Sequence, residues 1–96
     1  MSALTRALGT EVNGTVGSTA AVALVANTGR NFLTIQNTSA SNSLSFTVDG
    51  STPISTSKGF LLSAAGGAVT FDVFVPTGAI TVIGSAAGTT YELLWA

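Results

Sequence analysis

Apolar and polar residues alternate with a period of two along much of this chain. Leu44, Phe46 and Val48 leave one face if Ser45, Thr47 and Asp49 leave the other. Val69, Phe71, Val73 and Val75 do the same within Ala68 to Val75. Successive side chains of a strand point to opposite faces, so this alternation predicts half-buried β-strands. Further strand-like segments are Val12 to Val16, interrupted by Gly14, the apolar run Ala20 to Ala26, Asn31 to Gln36, Phe60 to Ser63, Ala79 to Ile83 and Thr90 to Trp95. Turn chemistry separates them: Asn27-Thr28-Gly29, Asp49-Gly50, the loop Ser51 to Ser57 around Pro53, Ala64 to Gly67, Pro76-Thr77-Gly78 and Gly84 to Gly88. Seven or eight short strands in this rhythm predict an all-β fold, an antiparallel β-sandwich or small β-barrel.

Residues 1–11 break the pattern. Leu4, Ala7 and Leu8 have helical spacing around Thr5 and Arg6. One isolated helical turn is marginal in water, and an arm that orders on a neighbour fits these residues at least as well. The expected organisation is an extended N-terminal arm over 1–11 and a single β domain over 12–96.

Several strands carry apolar residues on both phases. If Leu33 and Ile35 face the core, Phe32 does not, and Phe74 stands in the same relation to Val73 and Val75. Ile83 opposes Val82, and Leu94 opposes Leu93 and Trp95. A strand with one wet face should instead alternate cleanly. Each such residue has an ordinary explanation as scattered exposed apolar surface, but together they point to a subunit interface. The candidate interface residues are Leu4, Arg6 and Leu8 in the arm, then Phe32, Phe74, Ile83, Leu94 and Trp95.

Composition sharpens this picture. Charged residues make up 7% of the 96 residues, against roughly 25% in an ordinary soluble domain. Net charge is -1, and Arg6, Arg30 and Lys58 are too few and scattered for the basic patch that nucleic acid requires. Ala20 to Ala26 is far shorter than the ~20 residues that span a bilayer, so no membrane partner is expected. It also lacks the charged leader of a signal peptide, so synthesis in a cytoplasm is expected. With no Cys, disulfide bracing is excluded, and a domain of this size buries only about 60–65% of its unfolded surface. Low charge and marginal burial together suggest obligate assembly.

Catalysis finds little material. There is no His and no Cys, and Glu11, Asp49, Asp72 and Glu92 are the only carboxylates. Asp72 and Glu92 sit on polar strand phases and are candidates for cross-sheet neighbours, the pairing glycoside chemistry uses. Solvated polar-face charges explain them better. Asp49-Gly50-Ser51 has the residues of an aspartic-protease signature in the wrong order, and Asp-Gly is ordinary turn chemistry. No Gly-Lys-Ser/Thr phosphate loop and no acidic calcium loop occurs. The expectation is a chain without enzymatic activity, cofactor or metal.

Arg30-Asn31-Phe32-Leu33-Thr34-Ile35-Gln36-Asn37-Thr38-Ser39 resembles a segment of small virion proteins of tailed bacteriophages, where an Arg-bearing turn leads into a strand and an Ile-Gln-Asn loop. Phe71-Asp72-Val73-Phe74-Val75-Pro76-Thr77-Gly78-Ala79-Ile80 is similar to their strand, Pro-Thr-Gly turn and strand. Thr90 to Trp95 matches their closing strand in kind. The resemblance covers roughly residues 27 to 96. It implies an all-β head decoration (cement) protein, commonly trimeric, that bridges adjacent subunits of the major capsid protein on the phage head surface. A neck or tail component is the alternative within the virion, and a carbohydrate-binding β-sandwich is the alternative of another class. Sugar binding calls for exposed Trp or Tyr platforms, and the chain has one of each.

Overall fold

The structure, a computed structural model, describes residues 9–96. The arm residues Leu4, Arg6 and Leu8 lie outside the described residues. Eight strands follow in order: β1 (Thr10–Val16), β2 (Ala21–Leu24), β3 (Leu33–Asn37), β4 (Leu44–Thr47), β5 (Phe60–Leu62), β6 (Ala68–Phe71), β7 (Ile80–Gly84) and β8 (Thr89–Trp95). They form two four-stranded sheets with orders β1-β8-β3-β6 and β2-β7-β4-β5. All pairings are antiparallel. The architecture is a β-sandwich.

The strand order has a simple logic. β4 pairs with β5, β3 with β6, β2 with β7 and β1 with β8. The chain is thus one long hairpin, folded at the β4–β5 loop and rolled so that its pairs alternate between sheets. Two further pairings, β3–β8 and β4–β7, complete the sheets. This is the jelly-roll solution to the edge problem of antiparallel sheets.

Inward rows follow from the register. Leu33 pairs with both Trp95 and Phe71, and Ile35 with both Leu93 and Val69. Opposite them, Phe46 pairs with Val82 and Phe60. Leu33, Ile35, Leu44, Phe46, Ile80, Val82 and Leu93 are fully buried and form one cluster. Gly14 fits this scheme as space, since its register partner is Tyr91. A Cβ at position 14 would lie 2.7 Å from the Tyr91 ring carbon Cζ, so the glycine that weakens the strand pattern makes room for a buried tyrosine.

The expected strand from Ala68 to Val75 ends early, at Phe71. Its partner β3 begins at Leu33, opposite Phe71. Asn31 would supply the next backbone groups on that edge, but its N–H donates to Ala96 O at 2.6 Å instead. Val73 therefore meets no ladder donor on β3, and the chain leaves the sheet to cross to β7. Val73, inward by alternation, is 97% exposed as a result.

β4 and β7 are buried along their whole length, on both faces. The long β4–β5 loop accounts for part of this. Pro53 is buried, the Thr47 hydroxyl donates to the Ser51 carbonyl, and Ile54 to Gly59 share a recess with Ser45 and Leu61. Ile83 pairs with Ser45 on this outer face.

Candidate interaction surface

Two polar residues hold the loops that frame the surface. Arg30 is buried, and its guanidinium spans three backbone carbonyls. Nη1 donates to Pro76 O at 2.7 Å and Gly78 O at 3.2 Å, and Nη2 donates to Val25 O at 2.8 Å. Burial lowers its pKa, yet a guanidinium stays charged at any ordinary pH. The Arg-bearing turn and the Pro-Thr-Gly turn, separate motifs in the sequence, are therefore one clamp. Asn37 is the second device. Its Nδ2 donates to Asn42 O at 2.8 Å and Leu62 O at 3.0 Å, and its Oδ1 accepts from Ser39 N–H at 2.9 Å. It ties β3 to the β3–β4 loop and to β5.

The surface itself is the flank where β5 and β6 lie at the edges of their sheets, joined by the turn after Leu62. A groove of about 230 Å³ opens there, lined by Phe46, Phe60, Leu61, Leu62, Val69 and Phe71. Phe46 forms its buried floor, with the Phe60 ring centroid 5.4 Å away and tilted by 35°. Phe60 is 60% and Leu61 63% exposed. Val73 and Phe74, just beyond Phe71, are exposed as well. Exposed edge strands are normally guarded by charge, and neither β5 (FLL) nor β6 (AVTF) contains a charged residue.

The predicted interface residues divide. Phe74 is exposed, in the β6–β7 loop three residues after Phe71. Phe32, Leu94 and Trp95 are half-buried, and Trp95 packs against the core with its indole N–H buried and without a hydrogen-bond partner among the described residues. Ile83 is 8% exposed, so its surface is taken up within the chain. Phe60 and Leu61 were not among the predicted interface residues. Their signal in the sequence is a run of three apolar residues, Phe60-Leu61-Leu62, in a strand that sits at an edge.

The outer face of the first sheet is different in kind. Thr34 and Thr70 hydroxyls hydrogen-bond at 3.0 Å, and the Thr38 hydroxyl donates to that of Thr90 at 2.9 Å. Glu92 lies here opposite Asn13 and diagonal to Glu11, across the β1–β8 pair. Asp72 lies past the end of β6, away from this row, so the carboxylate pair is Glu11–Glu92 rather than Asp72–Glu92. A hydrogen bond with Glu11 raises the Glu92 pKa, reinforced by desolvation and by the Glu11 charge. The raised value means that the folded chain holds this proton more tightly than the unfolded chain. The pair's contribution is therefore fully present below the ordinary value near 4.5 and is lost as pH rises through the raised one. Asp49, held below its ordinary value by Ser51, acts in the opposite sense and loses its contribution on acidification. Glu92→Gln is expected to abolish the first effect and keep the second. Urea midpoints followed from acid to neutral pH check this; an unchanged slope on the neutral side of 4.5 would count against the pair.

Comparisons with known proteins place the fold. No family model matches the chain, and no curated protein does. A solved structure from the Bacillus endospore appendages, described as a novel family of disulfide-linked pili, superposes with a TM-score of 0.54. The two are 18% identical, and the match covers 91% of this chain and 80% of that one. The likeness is one of fold.

Proposed function

We propose that this chain is a non-enzymatic structural subunit that works by packing its β5–β6 flank against other protein, in the first place other copies of itself. One observation carries the reading: Phe60, Leu61, Val73 and Phe74 are exposed on or beside two uncharged edge strands. Leaving such edges and apolar surface in water invites association. The fold it shares with a pilus protein supports a building-block role. Those pili are disulfide-linked, whereas this sequence contains no Cys. Apolar packing and edge-strand pairing would have to supply the cohesion here.

Decoration of a phage head, as a homotrimer bridging major capsid subunits, is the particular setting implied by the resemblance of the Arg30–Ser39 and Phe71–Ile80 segments. In that setting the same flank would meet the capsid or a sister subunit. For the carbohydrate-binding alternative, the relevant aromatics are Tyr91, which is buried, and Trp95, which is turned toward the core.

Sedimentation velocity over a range of concentrations tests the reading. The expected result is species well above the 9.5 kDa of one chain. Leu61→Glu should shift them toward monomer while leaving the circular dichroism spectrum unchanged. A chain that stays monomeric at every concentration and does not co-sediment with phage heads would sink the proposal.

A further inference from the structure

The β5–β6 groove has an occupant of matching chemistry in the same sequence. We infer that residues 1–8 of one copy dock in this groove of a neighbouring copy, with Leu4 entering between Phe60 and Phe71 and Arg6 meeting Asp72. The inference rests on the self-assembly reading above and names its contact. Met1, Ala3, Leu4, Ala7 and Leu8 make most of the segment apolar, and its one charged side chain is Arg6. The groove lining has no charged side chain, but Asp72 directly follows Phe71 and is exposed. In an extended segment Leu4 and Arg6 leave the same face, so an apolar anchor and a cation would arrive together at an apolar groove with an acidic rim. Unpaired edges on both sides of the groove offer backbone groups to such a segment, as in strand addition.

Chain length favours a neighbour's groove over the molecule's own. The segment joins the fold at Gly9, which lies against Leu94 and Trp95 at the end of β1. β1 and β6 are opposite edges of one sheet, three strand spacings or about 14 Å apart. Leu8, two residues before Thr10, reaches about 7 Å at most, and Leu4 about 20 Å when fully extended. The groove lies beyond β6, between it and β5 of the second sheet, and stacked sheets are about 10 Å apart. That extra distance takes up most of the remaining reach, so Leu4 would meet its own groove only with the segment almost straight. A neighbouring copy imposes no such limit.

The lack of native Cys makes cross-linking a clean test. Full-length Leu4→Cys and Phe60→Cys chains, carrying different isotope labels, would be mixed at assembling concentration and mildly oxidised. The expected product is the mixed 4–60 disulfide, in clear excess over the 4–22 product formed when Val22→Cys on the opposite flank replaces Phe60→Cys. A charge swap supplies a second readout. Arg6→Glu and Asp72→Arg should each raise the half-assembly concentration by about tenfold, and the two together should restore it. Equal 4–60 and 4–22 yields, or an assembly indifferent to both single charge changes, would overturn the docking inference while leaving self-assembly standing. Failure of the unmodified chain to assemble would remove both. A 4–60 bond formed within one chain of the double variant at high dilution, matched by loss of the mixed product, would also overturn it.

Discussion

Replacing Arg30 with Met is expected to cost about 3–5 kcal/mol of folding stability, because it strips three charge-assisted hydrogen bonds from backbone carbonyls, one of them buried and two partly so. Pro76 O, Gly78 O and Val25 O would all lose their partner. A chain of this length has on the order of 5–14 kcal/mol in total, so the variant should lose a large share of its stability and unfold at a clearly lower urea concentration and temperature. Arg30→Lys should recover only a fraction, since an ammonium is a point donor and cannot fork across two loops. Urea or thermal unfolding of the three chains checks the order wild type, Lys, Met. Met and Lys variants of equal stability would mean that the fork geometry contributes nothing. The clamp sits where the β2–β3 and β6–β7 loops meet, so its loss should also release the segment that presents Val73 and Phe74.

Asn37→Asp should be nearly as damaging, at about 3–4 kcal/mol near neutral pH. Asn37 is fully buried, and its amide donates to the carbonyls of Asn42 and Leu62. A carboxylate there would turn two attractions into repulsions and bury a charge held by the Ser39 N–H alone. Protonation is the escape, so the Asp variant should recover stability on acidification, opposite in sense to a salt-bridged carboxylate. Asn37→Leu removes the hydrogen bonds without adding a charge and should show no such recovery. Chemical denaturation of both variants at acid and neutral pH separates the two costs.

These two residues mark where the sequence was hardest to read. Arg30 registers in the composition only as one of three scattered basic residues, and Asn37 as the start of a polar loop. Their importance depends on residues far along the chain: Arg30 meets Pro76 and Gly78, and Asn37 meets Leu62. The resemblance segments contained the right residues, yet nothing in their spacing says that one turn grips the other. The Phe60–Leu61 surface was hidden for a related reason. Three consecutive apolar residues suit a strand buried on both faces, and only the strand order shows that β5 has a partner on one side alone.

The positions of the strands were legible from the start, because alternation and turn chemistry are local. All eight strands fall within the expected segments or within a few residues of them, and the all-β, antiparallel character follows from their shortness and spacing. What alternation describes is faces, never partners. A period of two says that Leu33 and Ile35 look the same way, but not that Leu33 lies between Trp95 and Phe71. Pairing between distant strands, the early end of β6, the covering of Ile83 and the open β5–β6 groove all arise when the long hairpin rolls into two sheets. They are set by which edges run out of partners, a property of the assembled sandwich that no short stretch of residues carries.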